Sequence, residues 1–227
     1  CHQTTFGMSE RLLGAIVGIH GDDSGLILPP SVSPIQVLIM PIATHITDDV
    51  MIYSNKIKKE LDENGLRTKI DDRNIRPGNK HYDWEIKGVP IRLEIGPKDI
   101  SKEQCIISIR TGGKETIPLN NLIPSIFSTL ESINEVLKTR AKELFDKMIL
   151  PLPKSDIIDG KIVFSEPIIE GIVYEFPFDG NDADAELLER KTGITLLGEC
   201  NRPYKNPLPC VITGKLTTKK QHLARMY

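Results

Sequence analysis

The sequence has no excess of either charge: 29 Lys and Arg stand against 31 Asp and Glu, a net charge of −2 in 227 residues. That excludes a general polyanion binder, so any contact with nucleic acid must come from a local patch. There is no CxxC pair among the four cysteines Cys1, Cys105, Cys200 and Cys210. Their scatter argues against a disulfide framework and for a reducing compartment, the cytoplasm. No apolar run approaches the ~20 residues that cross a bilayer, and no signal peptide opens the chain, so no membrane partner is expected. Internal repeats and low-complexity tracts are also lacking. What remains is a length suited to two or three small domains, each with a modest core.

Hydrophobic patterning orders those domains. Thr4–Met8 reads as a short strand running into an apolar helix (Leu12, Leu13, Ala15, Ile16, Val17, Ile19), followed by a Gly-Asp-Asp-Ser-Gly turn. Gly25–Leu28 reads as a short strand ended by Pro29-Pro30, a stiff segment that cannot continue a helix and marks a domain boundary. Ile35–Ile42 is an unbroken apolar run expected of a strand buried on both faces. Thr47 then reads as an N-cap, and the helix it opens turns Val50, Ile52, Tyr53, Ile57 and Leu61 inward and stops at Asn64-Gly65. With a strand at Leu66–Ile70 this is a βαβ unit. Pro77 or Gly78 opens a further helix to Ile86. Ile91–Ile95 alternates as a strand, Gly96–Asp99 turns the chain, and Cys105–Ile109 with Glu115–Leu119 form a hairpin. Leu122 to Met148 is one long helix, its apolar stripe including Ile126, Phe127, Leu130, Ile133, Leu137, Leu144, Phe145 and Met148 at close to a 3.6 period. Leu150–Pro153 breaks it. Beyond lie strands at Lys161–Phe164, Ile172–Phe176 and Ile194–Glu199, a helix Asp182–Lys191 capped at Gly193, a proline-rich loop and a final strand.

At the first strand–helix junction sits Arg11, beside Ser9 and Glu10. A guanidinium is always charged, planar and able to donate in pairs to phosphate oxygens; taken alone, it reads as a surface ion pair at a helix start. The surrounding string Phe6-Gly7-Met8-Ser9-Glu10-Arg11-Leu12-Leu13-Gly14-Ala15, followed by His20-Gly21-Asp22-Asp23-Ser24-Gly25-Leu26-Ile27-Leu28-Pro29-Pro30, resembles motif 3 of class II prolyl-tRNA synthetases, most closely the archaeal and eukaryotic branch. Val32-Ser33-Pro34-Ile35-Gln36-Val37 matches that family's run-in to an anticodon-binding domain, and the resemblance covers essentially all 227 residues. The resemblance implies a fold of three parts in α/β and α+β classes: the end of a class II catalytic domain (1–32), an α/β anticodon-binding domain with a mixed sheet (33–130), and a small α+β C-terminal domain (131–227).

By the same resemblance Arg11 is the catalytic arginine that contacts ATP. Ser9, Gln3 and Thr4 line the adenylate site, and His2 faces the substrate pocket. Leu223-Ala224-Arg225-Met226-Tyr227 matches the family's ending, in which the terminal tyrosine carboxylate of Tyr227 reaches that pocket. The stretch Pro77 to Asp99 follows the family's base-reading pattern PGxKxYxWExKGVPxRxEIGPKD, and implies that Glu85, Arg92 and Lys98 read the two guanines of a proline anticodon. Interleaved Arg, Lys, His, Tyr and Trp also suit single-stranded RNA, whose splayed bases stack on aromatic or guanidinium planes. Many family members hold zinc through four cysteines in the C-terminal domain. Here those positions align with Asp179, Asp184, Cys210 and Thr213, so zinc is expected to be lost, with Asp179, Asp184 and Cys210 as ligands if it is not.

The implied activity is ATP-dependent ligation of proline to tRNA(Pro) through prolyl-adenylate, with ATP supplied as its Mg complex. The chain opens inside a motif and without Met, so it is expected to be the C-terminal part of a longer polypeptide that dimerises through its N-terminal half. Motifs 1 and 2 are not in this sequence, and this piece alone should not aminoacylate. The competing class is a non-catalytic tRNA-binding paralogue. Retention of Arg11 weighs against it.

Overall fold

The structure, a computed structural model, describes residues 3–42, 49–158 and 161–225, and of 155–158 and 161–163 the backbone alone. The expected N-cap Thr47, the pocket residues His2 and Tyr227, and Cys1 lie outside the described residues. The chain packs as two compact units, 1–141 and 142–227, divided within the long helix.

Unit one begins with α1 (Arg11–His20). The expected strand before it is absent, and residues 3–9 have no regular structure. An extended segment becomes a strand only when another backbone pairs with it, and no described residue does so here. The apolar face of α1 is correspondingly open, with Leu12, Leu13, Val17 and Ile19 exposed. Residues 26–28 are strand-like without joining a sheet: the Leu26 and Leu28 amides donate to the carbonyls of Ile86 and Gly88. This pairing, and the bonds from Arg67 to the Pro30, Ser31 and Ser33 carbonyls, tie the proline-rich segment to the domain after it rather than leaving it a free spacer.

The sheet of unit one has the order β2-β1-β3-β4-β5. β1 (Val37–Pro41) lies between β2 (Thr68–Ile70) and β3 (Ile91–Ile95), parallel to both, and is buried throughout. β4 (Gln104–Ile109) and β5 (Lys114–Pro118) continue it antiparallel as the expected hairpin, which makes the sheet mixed. α2 (Asp49–Glu63) is the crossover from β1 to β2 and ends at Gly65, whose φ of 80° suits a residue without Cβ. Val50, Ile57 and Leu61 face inward as expected, but Ile52 is exposed and buried Ser54 takes a place on the inner face. Positions 50, 54, 57 and 61 hold the 3.6 period better than 52 does.

α3 (Pro77–Ile86) starts at a proline, where the missing N–H costs nothing. The expected turn at Gly96–Asp99 is a short helix, α4 (Pro97–Ser101), whose Asp99 carboxylate accepts from the Gly96 amide at 3.0 Å. A three-residue 3-10 turn, Leu119–Asn121, then leads into α5 (Leu122–Met148), whose limits match the expectation. Leu122, Ile126, Leu130, Ile133 and Leu137 of α5 join α2 in covering one face of the sheet. Phe127, Leu144, Phe145 and Met148, assigned to the same stripe, are instead exposed.

In unit two the chain does not simply break at Leu150. β6 (Ile149–Pro151) pairs parallel with β9 (Val173–Pro177), in a sheet of order β10-β13-β9-β6. β7 (Ser155–Ile158) and β8 (Lys161–Phe164) form a separate hairpin. α6 (Asp182–Thr192) is closed at both ends: Asn181 and Asp184 exchange side chain–backbone bonds of 3.0 Å, and Gly193 is left-handed at φ 68°. β10 (Thr195–Glu199), the small pair β11 (Leu208–Pro209) and β12 (Leu216–Thr217), and β13 (Lys220–Ala224) complete it. Its core is Tyr174, Phe176, Phe178, Leu188, Ile194, Cys210 and Leu223.

Candidate nucleic-acid interface

Period-two alternation decides what the second face of the unit-one sheet offers. On β3, Ile91, Leu93 and Ile95 go into the core under α2 and α5, so Arg92 and Glu94 point to the other side. There α3 covers only part of the sheet, through Trp84, which packs with Val89 on Leu38 and Met40 of β1. The rest is polar. Register places Arg92 opposite Ser108 and Ser108 opposite Lys114.

The structure brings Glu85 and Arg92 together. Glu85, in the last turn of α3, has Oε2 3.8 Å from Nη1 of Arg92. That nitrogen also donates to the His81 carbonyl at 3.3 Å, and the Arg92 Nε is buried with no partner among the described residues. Glu94 accepts from Lys114 Nζ at 3.0 Å and from Ser108 Oγ at 3.3 Å, with His81 Nε2 3.6 Å away. Burial lowers the pKa of His81, against the pull of Glu94, so the ring is neutral at neutral pH and donates or accepts without charge. Lys98 is exposed on α4, beyond the C-terminal end of β3, and forms no ion pair with any described residue. The three proposed base readers therefore divide into a contacting pair and a free cation.

The aromatic residues of this block differ in what they can do. Trp84 is not a stacking platform. It is buried and its indole N–H donates to Asp71 Oδ2 at 2.7 Å. Asp71 is itself buried and also accepts from Arg73 at 2.8 and 2.9 Å, while its carbonyl accepts from buried Lys80 at 2.8 Å. Burial alone would raise the Asp71 pKa, but the bonds from Arg73 and Trp84 outweigh it and hold the carboxyl well below its usual range. The ring face of Trp84 is taken by Lys87, 4.4 Å from its centroid, and Lys69, at 5.4 Å. Tyr82, by contrast, is exposed and open to a base.

Reasoning on the sequence missed Arg110. It follows β4 with its side chain only 3% exposed, and it chelates Asp22 through Nη1 and Nη2 at 2.8 and 2.6 Å. It also donates to the carbonyls of Gly25 (3.2 Å), Leu26 (3.1 Å) and Glu85 (3.2 Å). The hydrogen bond from Arg110 pulls the Asp22 pKa down to about 2. Backbones approach so closely here that a Cβ on Gly88 would lie 2.3 Å from the Leu26 carbonyl oxygen, and one on Gly25 2.6 Å from the Ile86 Cα. Both glycines have positive φ, 70° and 130°. Between this turn and α3 lies a cleft of about 370 Å³ lined by Asp22, Asp23, Ser24, Tyr82, Glu85 and Ile86.

Gln3, Thr4, Ser9 and Arg11, the residues assigned to ATP, are all exposed, and Arg11 pairs with no described carboxylate. In unit two, the aligned zinc positions carry other bonds. Asp179 pairs with Lys219 Nζ at 2.7 Å, and Asp184 caps α6. Cys210 Sγ accepts from the Asp179 amide at 3.3 Å. Its pKa is raised by burial but lowered on balance by the hydrogen bonds from Thr213 and neighbouring amides. Asp179 and Asp184 are thus neutralised or engaged, and the donor set does not fit a structural zinc.

Comparison with known proteins places the sheet and its covering helices in a class: residues 36–128 match the family described as the anticodon binding domain. More particularly, the whole chain is homologous to proline–tRNA ligases and spans about half their length. It is 40% identical to the proline–tRNA ligase of Thermococcus kodakarensis, over 100% of this chain and 47% of that protein. The enzyme of Thermoplasma acidophilum is 48% identical over 94% of this chain and 44% of its own length. The solved prolyl-tRNA synthetase of Giardia lamblia, in complex with prolyl-adenylate, superposes with a TM-score of 0.79 at 28% identity, covering 96% of this chain and 48% of that one.

Proposed function

We propose that this chain reads the anticodon of tRNA(Pro) and supplies motif 3 of a class II proline–tRNA ligase, with the functional parts 1–32, 33–130 and 131–227 corresponding to the catalytic-domain edge, the anticodon-binding domain and the C-terminal domain. The observation that carries this reading is the Glu85–Arg92 pair, 3.8 Å apart on the open polar face of an anticodon-binding domain. A guanine presents N1–H and N2–H₂ donors that a carboxylate accepts, and O6 and N7 acceptors that a guanidinium or ammonium satisfies. Glu85, Arg92 and Lys98 hold these complementary groups. The buried Arg92 Nε, without an acceptor among the described residues, is a donor that a base oxygen or nitrogen would satisfy.

Chemistry follows from the other end of unit one. Activation joins the proline carboxylate oxygen to the α-phosphorus of ATP and expels pyrophosphate, and the prolyl group then passes to the tRNA terminal hydroxyl, breaking the mixed anhydride and releasing AMP. Negative charge builds on the phosphate oxygens in the first step, and in this proposal Arg11 stabilises it while Ser9, Gln3 and Thr4 line the adenylate site. His2 and Tyr227 complete the substrate pocket in this proposal, and catalysis takes place in a homodimer whose other elements lie in the part of the relatives this chain does not cover.

Anticodon reading has a direct test. Binding of this chain to an anticodon stem–loop RNA containing the two guanines is expected to weaken by about 1–3 kcal/mol for Glu85→Ala and for Arg92→Ala, as for a lost bidentate base contact. Replacing the guanines by adenines should cost the wild type as much and the variants little. Two variants that bind and discriminate like wild type would sink the assignment.

For the C-terminal domain we propose a zinc-free state in which Lys219 supplies the positive charge beside Asp179. Elemental analysis of purified protein is expected to find no stoichiometric zinc, and EDTA to leave the melting temperature unchanged. One zinc per chain would refute it and make Asp179, Asp184 and Cys210 the ligands.

A further inference from the structure

We infer that Arg110 is a positioning residue for base recognition: it fixes the Asp22–Gly25 turn as the far wall of a guanine-binding cleft whose near wall is Tyr82 and Glu85. This rests on the anticodon-reading proposal and extends it to the segment that follows α1.

The cleft has the chemistry for one unstacked base and not for the phosphate backbone. Its volume of about 370 Å³ falls at the small end of the roughly 300–1,000 Å³ range of small-molecule sites. Exposed Tyr82 supplies a stacking surface. The charged groups lining it, Asp22, Asp23 and Glu85, are carboxylates, which repel phosphate but accept from N–H groups. Guanine is the base whose Watson–Crick edge offers adjacent N1–H and N2–H₂ donors.

A carboxylate wall is useful only if it stays in place, and like charges facing one another push the turn and α3 apart. Arg110 opposes that. With its side chain 3% exposed, it binds both Asp22 oxygens and the Gly25 carbonyl on one wall and the Glu85 carbonyl on the other. One side chain therefore sets the spacing between the two walls. Lysine cannot reproduce this, because an ammonium has no planar fork to chelate a carboxylate while its flank reaches two more carbonyls.

The test uses the 227-residue chain and an anticodon stem–loop RNA in which each loop guanine is replaced in turn by inosine, which lacks only the N2 amino group. With wild type, inosine at one of the two positions is expected to weaken binding about tenfold, as for one lost base contact of ~1.4 kcal/mol. In Arg110→Lys that penalty should fall below about threefold, while binding of the inosine RNA itself changes little. A residue that only holds the fold would lower the melting temperature and leave the inosine penalty intact, and that result would overturn the inference. If Arg110→Lys does not fold, Arg110→Gln, which keeps side-chain donors at the same place without the planar fork, reads the same penalty with the same two outcomes. Glu85→Ala separates the two layers of the argument. A penalty that survives in Glu85→Ala removes the anticodon-reading assignment itself, whereas one lost in Glu85→Ala but kept in Arg110→Lys removes only the role of Arg110.

Discussion

Arg11→Lys, in a polypeptide of the length of the relatives, is expected to slow proline-dependent ATP–pyrophosphate exchange by about 10² to 10³-fold, the usual loss for one preorganised charge contact in a transition state. Arg11→Ala should lose about as much. Lysine keeps the charge but not the planar fork or the stacking face, so a phosphate-binding role forbids rescue by lysine. The alternative, an arginine in a surface ion pair, is worth at most about 1 kcal/mol and makes lysine nearly silent. Arg11 is exposed and meets no described carboxylate, so the structure offers that alternative no partner. Anticodon RNA binding should remain at wild-type level in both variants, which separates lost chemistry from lost fold. Near-wild-type exchange in the lysine variant would remove Arg11 from the active site.

The second large effect is on stability. Asp71→Ala leaves the buried Trp84 indole N–H without an acceptor and removes the charged acceptor that Arg73 binds in the loop before α3. An orphaned buried donor and a lost charge-assisted bond together cost about 2–4 kcal/mol, which lowers the melting temperature by on the order of 10 °C. The pH dependence has a definite sign. Because the folded pKa of Asp71 lies below the unfolded value, its contribution is complete above about pH 4, near the unfolded carboxyl pKa. It is lost as pH falls from there through the folded pKa. Urea unfolding at pH 7 and at pH 3 should therefore show a smaller difference between wild type and Asp71→Ala at the lower pH. An equal gap at both values would mean that the carboxylate charge is not what Trp84 and Arg73 bind.

Elements with strong local signals were legible in the sequence. α5 runs from Leu122 to Met148 as its 3.6 period requires, and Asn64-Gly65 does end α2. Which side of an element meets the core was less legible. Ile52, Phe127 and Phe145 fit an apolar stripe by residue type but are exposed, since burial depends on whether anything packs there. Trp84 and Tyr82, two positions apart on α3, look alike as aromatic RNA contacts. Helical geometry puts them on different faces, one against β1 and one in solvent. The Arg110–Asp22 clamp was invisible for a different reason. Its partners are 88 positions apart, and each alone is an ordinary residue beside a turn. The close approach at Gly25 and Gly88 that accompanies it likewise joins residues that nothing in the sequence linked.

The strand order β2-β1-β3-β4-β5 also dictates an entropic sequence of assembly. In the hairpin, Ser108 pairs with Lys114 across a short turn, so closing it immobilises little chain. Val37 pairs with Ile91 only after α2, β2 and α3 have been looped out between them, a closure that must be met before any contact rewards it. The polar face that carries Arg92 lies between these two seams. It therefore acquires its geometry when the slow seam closes on the fast one, so the proposed base reading depends on the most costly closure of the sheet.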